Sequence, residues 1–419
     1  MARTPVKHTS PAGRTLVACC DGTSNEPGGG DGPTNVVRLF RCLTKSDQQL
    51  VFYDPGVGTN GMLDLWRRRS NSLKAFAEQA TGYGLDRHVI DVYRFLCLNH
   101  HVGDEICLFG FSRGAYTARV VAGLVHQIGL LRPEQSNLAP YALKAYKQSS
   151  DDNDLAIGWR FAREVGTRHA SIRLLGLWDT VGSVIAPLKD RLGFALTHLP
   201  YTRANPSVEA VRHAIAIDER RRMFRINHWE GGDFVPNAFD RASTRPQDVK
   251  QVWFAGAHGD VGGGHAEEDS ALSKIPFLWM AGEASALGLD VDLGALARVG
   301  AGENSAGTGR TYAQPDAAGT MHPQPAGWWW SLEYLPKPAR MRENPDSATY
   351  FGHYLPMGET RPVPCGAMLH RSVFDRFERD PTYRPPNLPG ELRGFTVEQT
   401  SPAGPAAQQS FLNAIVGKN

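Results

Sequence analysis

The sequence predicts an α/β protein with a mostly parallel sheet flanked by helices. Two observations carry this. Five short apolar runs recur up to Gly256, each closing on Gly, Asp or Ser. Near-continuous apolar runs of this length suit strands buried on both faces. Stretches with helical apolar spacing lie between several of the runs, and strand–helix alternation is the mark of a parallel sheet. The chain has 419 residues, 41% of them hydrophobic, enough to bury a sizeable core.

In order, the runs are Arg14–Cys20, Gln49–Tyr53, Glu105–Gly110, Ser171–Trp178 and Val249–Gly256. Leu85–His100 carries Val89, Val92, Tyr93, Leu96 and Cys97 on one helical face. Arg113–Leu130 places Gly114, Ala118 and Ala122 at every fourth position, so a helix there can approach a sheet closely. Val208–Phe224 reads as a further amphipathic helix, with arginines on its polar side. After Leu287 the pattern dissolves. Gly300–Ala326 is rich in Gly, Ala, Thr and Pro and reads as loop. The expected organisation is a flexible tail at 1–13 and a core at 14–287, with inserts at about 131–170 and 186–245. A lid or C-terminal extension follows at 288–419.

Composition narrows the function. Lys and Arg total 45 against 43 Asp and Glu, a formal charge of +2. Phosphate binding concentrates a basic excess, so nucleic acid is not an expected partner. No apolar run approaches the ~20 residues of a membrane helix. The polar N-terminus lacks an apolar signal core, so the expected location is the cytoplasm, or outside it by export without a cleavable signal peptide. Six cysteines, four in apolar segments, suit buried thiols better than a disulfide framework. There is no CxxC pair and no HExxH, so no metal or other cofactor is expected.

The strand ends carry the chemistry in such a sheet. Gly110-Phe111-Ser112-Arg113-Gly114 matches G-x-S-x-G between a predicted strand and a predicted helix. That context places a serine on a sharp turn where a Cβ at either glycine would clash. Ser112 is the candidate nucleophile. It needs a base, and the base needs an orienting carboxylate. Asp179 and His258 follow in the chain order of α/β hydrolases, each just past a predicted strand.

Asp260 is a rival acid, although shaping the glycine loop Val261–Gly264 suits it better. His265 is a rival base, with His353 and His370 more distant. For the oxyanion hole, Arg113 N–H is the first expected donor. The Asp21-Gly22-Thr23 turn supplies the second, through Gly22 or Thr23. Asp-Gly-Thr also occurs in haloacid-dehalogenase phosphatases, but their nucleophilic aspartate corresponds here to Cys19. No P-loop is present.

Several blocks together resemble an α/β-hydrolase family long known as a domain of unknown function. Its best-known members are phospholipase effectors of bacterial type VI secretion. The blocks are Cys20–Asn25 with Thr34–Val36, Gly110–Arg119, Trp178–Gly182, Ala214–Arg220 and Val252–Gly264. The resemblance implies an α/β-hydrolase fold with Ser112 as nucleophile, His258 as base and Asp179 as acid. It also implies hydrolysis of phospholipid esters. The leading expectation is therefore a serine carboxylic-ester hydrolase, a lipase or phospholipase A, with transient contact to a membrane surface. A soluble esterase on other acyl esters and a non-catalytic binding module are the alternatives. Phe194–Tyr201 and Trp328–Tyr334 supply apolar surface for a lid, or for a secondary core.

Overall fold

The computed structural model describes residues 13–22, 32–56, 83–151, 155–181, 185–187, 194–196, 199–236, 241–303, 311–327, 329–343 and 347–400. Their main feature is an eight-stranded, wholly parallel sheet. Its strands are β1 (Thr15–Cys20), β2 (Gln49–Asp54), β3 (Glu105–Phe111) and β4 (Ile172–Trp178). They continue as β5 (Val208–Ala216), β6 (Asp248–Phe254), β7 (Met368–His370) and β8 (Thr396–Glu398). Across the sheet the order is β2-β1-β3-β4-β5-β6-β7-β8. The order reverses between β1 and β3, and the crevice at such a switch point is where α/β sheets hold their ligands.

Both faces are covered, which explains the unbroken apolar runs. Leu16, Ala18 and Cys20 of β1 point into one buried cluster, with α2 (Tyr83–Asn99) and α3 (Arg113–Ile128). Val17 and Cys19 point into the other, with α1 (Asn35–Cys42) and α7 (Lys274–Ala286). The period of two along a strand divides the residues this way. Two further helices, α4 (Ala139–Asp151) and α5 (Ala156–Val165), fill the connection from α3 to β4. Five of the six free cysteines are buried and Cys365 is exposed.

One expectation is overturned. Val208–Phe224 is not an amphipathic helix: Val208–Ala216 is the strand β5, between β4 and β6, and Arg222–Phe224 is a single 3₁₀ turn. A central strand is buried on both faces, so its apolar spacing cannot be told from that of a helix. The arginine that suggested a polar face, Arg212, is itself buried. It pairs with Glu283 of α7 and, at 2.5 Å, with Asp248.

The sheet also continues past residue 287. β7 and β8 extend it from the C-terminal part of the chain, and α10 (Arg371–Arg379) follows β7. Between α8 (Leu293–Val299) and α9 (Trp329–Glu333) the described residues form neither helix nor strand. No helix among the described residues is long and apolar enough to cross a membrane.

Candidate active site

The site is assembled at the carboxyl ends of β3, β4 and β6. Ser112 follows β3 directly, with φ 57° and ψ −122°. A positive φ is costly for a residue with a Cβ and persists only where the surroundings hold it. Here the two glycines of the motif hold it. A Cβ on Gly110 would stand 2.4 Å from Gly114 O, and one on Gly114 would stand 2.2 Å from Cys20 O. Neither position has room for a methyl group, so the strand-to-helix turn stays tight against β1.

Asp179 follows β4 and is buried, also with positive φ, 36°. His258 opens α6 (His258–Gly262), after β6. His258 Nδ1 lies 2.6 Å from Asp179 Oδ2. That bond commits Nδ1 and leaves Nε2 for a hydroxyl. The ring of Phe111, the residue before Ser112, packs on the His258 ring with centroids 4.6 Å apart. Phe224 meets the same ring edge-on at 4.8 Å.

Arg361, which the sequence reading missed, completes the arrangement. Its guanidinium is buried and donates to both Asp179 oxygens, at 2.7 and 3.1 Å. The same two nitrogens, Nη1 and Nη2, also donate to Ala216 O and Phe224 O. Burial alone would raise the Asp179 carboxyl. The Arg361 charge and the His258 hydrogen bond outweigh it and hold the group far below the usual carboxylate range. Burial pulls His258 below its ordinary value, against the opposing pull of Asp179. The imidazole is therefore neutral near pH 7, the state in which it can accept a proton.

Glu219 is a second residue without an assigned role in the sequence. It is buried, gripped through both oxygens by Arg221 at 2.8 Å, and accepts His258 N–H at 3.2 Å. Its only sequence signal was membership of the Ala214–Arg220 block. Arg361 had none, because it is 182 residues from its partner.

The remaining candidates separate. Asp260 does not contact Asp179 or replace it beside His258. Its carboxylate takes Ala257 N–H at 2.9 Å and faces His322 at 2.7 Å. His265 stacks on His322. The exposed His353 lies on a two-stranded ribbon, and His370 caps α10 through Ser372 N–H. Asp21 is buried and accepts from Gly22 N–H (2.6 Å), Thr34 (2.8 Å) and Tyr53 (2.7 Å), a structural knot beneath the turn after β1. Gly22 N–H is thus engaged by Asp21 in this geometry. Thr23 and Trp328 lie outside the described residues. Trp329 packs on Phe224 at 5.4 Å while Trp330 is exposed, so the aromatic run faces both ways.

Residues 14–283 match the family model described as the type VI secretion, Tle1-like phospholipase effector, catalytic domain. The chain belongs to this family. It is 33% identical over 249 residues to the uncharacterized protein YEL023C of Saccharomyces cerevisiae. That match covers 56% of this chain and 35% of the yeast protein, so the chain spans about a third of that relative's length. An uncharacterized protein from Pseudomonas aeruginosa aligns in structure with a TM-score of 0.36 and 19% identity, covering 67% of this chain and 46% of its own. The Tle1 effector bound to the VgrG spike aligns with a TM-score of 0.27 and 18% identity, covering 65% of this chain and 57% of its own.

Proposed function

We propose that this member of the Tle1-like phospholipase effector family is a serine hydrolase of lipid acyl esters, acting as a lipase or phospholipase A. The observation that carries the reading is the buried Arg361–Asp179–His258 chain, ending beside the strained Ser112 turn. His258 Nε2 takes the proton from Ser112 Oγ as the oxygen attacks the ester carbonyl. Asp179, held ionised by Arg361, keeps the imidazole in the tautomer with its proton on Nδ1 and stabilises the imidazolium that forms. Arg113 N–H, at the start of α3, donates to the oxyanion. One such donor is worth about 3 kcal/mol in the transition state. His258 then protonates the departing alcohol. Water, deprotonated by the same nitrogen, releases the fatty acid and restores Ser112. Every proton moves between protein, substrate and water.

The lipid part rests on family membership and on exposed apolar side chains. Trp330, Tyr334, Leu335, Phe351 and Met357 are exposed apolar side chains grouped in the C-terminal part. Trp and Tyr favour membrane interfaces.

The test compares wild type with Ser112→Ala on phospholipid vesicles and on short p-nitrophenyl esters, reading released fatty acid and nitrophenol. Vesicle hydrolysis that disappears in Ser112→Ala is the expected result. Turnover of soluble esters alone would replace the lipid assignment with a soluble esterase. Undiminished activity in a folded Ser112→Ala protein would remove Ser112 as nucleophile.

A further inference from the structure

We infer that Asp260, His265 and His322 bind one divalent transition-metal ion of the zinc class. The ion would tie the segment around residue 322 to α6, the helix that begins with His258. The donor atoms of these three side chains all lie within 4.8 Å of one another. A zinc-class ion bonds nitrogen and oxygen at about 2.0–2.2 Å, so ligand atoms around a tetrahedron stand roughly 3.3 Å apart. Asp260 Oδ1 is 2.7 Å from His322 Nδ1 and 3.7 Å from His265 Nε2, one on either side of that separation. Movements of about half an ångström bring both to the bonded spacing.

Three further features fit a ligand set better than a chance cluster. His265 Nε2 is buried with no hydrogen-bond partner, an unusual state for a polar atom and one that a metal bond resolves. The other Asp260 oxygen, Oδ2, is fixed by Ala257 N–H at 2.9 Å and His322 N–H at 3.1 Å, which aims Oδ1 at the two rings. Hydrogen bonds of this kind orient ligands in metal sites. The rings of His265 and His322 stack with centroids 3.6 Å apart and planes 16° apart. The stack holds the two imidazoles side by side.

The donor chemistry selects the ion. Two imidazoles and one carboxylate favour zinc and its neighbours, whereas calcium and magnesium require mostly oxygen. Motif spacing could not reveal the set. His265 follows the glycine loop, and His322 comes from the segment that forms neither helix nor strand.

The experiment uses the full chain after chelator treatment and dialysis, titrated calorimetrically with zinc chloride and, separately, with magnesium chloride. The expected result is one zinc per chain, no magnesium binding, and a higher melting temperature with zinc. His265→Ala and His322→Ala should each weaken binding at least tenfold, while His353→Ala, at an exposed histidine, leaves it unchanged. Each variant must melt like the metal-free wild type. If one does not fold, cobalt bound to wild type serves instead, and magnetic resonance must detect two coordinated imidazoles. Absence of zinc binding, wild-type affinity in both ligand variants, or fewer than two imidazoles on cobalt would overturn the site.

Discussion

The two sides of the candidate catalytic crevice are built by different physics. On the β1–β3 side, Ser112 is positioned by backbone sterics. Gly110 and Gly114 let β3, α3 and β1 come closer than any side chain permits. On the β4–β6 side, His258 and Asp179 are positioned by buried charge. Arg361 and Glu219 arrive from elsewhere in the chain and satisfy groups that would be costly to bury alone. The difference teaches that one site can be half local and half long-range. Mutation should separate the halves.

The largest expected effect is on the local side. Ser112→Gly should lower kcat by roughly 10⁴-fold or more, as loss of a triad nucleophile does. It should also raise stability by about 1 kcal/mol, because glycine adopts the positive φ without strain. Paired kinetics and denaturant melts check both signs, and a loss of stability would sink the steric account.

Arg361→Met probes the other side. It leaves the Asp179 carboxylate buried beside an uncompensating side chain, and breaking a buried pair costs about 3–5 kcal/mol. Activity should fall with it, by at least tenfold at permissive temperature. A melt within 1 kcal/mol of wild type, an order-of-magnitude threshold for a real pair, would mean that Arg361 is a bystander. Gly114→Ala should cost about 1–3 kcal/mol, the usual range for overpacking, although alanine favours helix.

The smallest effect concerns pH. Burial pulls His370 down to about 3 from an ordinary 6.5. The unfolded chain then takes up a proton near pH 6.5, while the folded protein does so only near pH 3. Stability from this group is full above pH 6.5 and is lost as pH falls through that window, at most about 1.4 kcal/mol per unit. His370→Asn can still cap α10 and should flatten the decline between pH 7 and 5. An unchanged slope in thermal melts would show that other groups carry it.

The same division governs what could be read in advance. Asp179 and His258 were legible because each ends a recognisable apolar run, and Ser112 because its motif is contiguous. β5 was misread because burial on both faces erases the strand period. Arg361 and His322 were silent. A buried arginine and a lone histidine in irregular chain look like any surface residue until the fold brings their partners to them.

By itself, then, the sequence determined the parallel sheet, the elbow at Ser112 and the order of the candidate triad. These depend on near neighbours, on glycine sterics and on apolar runs long enough to demand burial. Only the tertiary structure decided which carboxylate faces His258, which cation neutralises it, and what Asp260 does instead. Those choices rest on polar and charged groups brought together across more than 60 residues of chain, and their interaction energy depends on distance in space, not along the sequence.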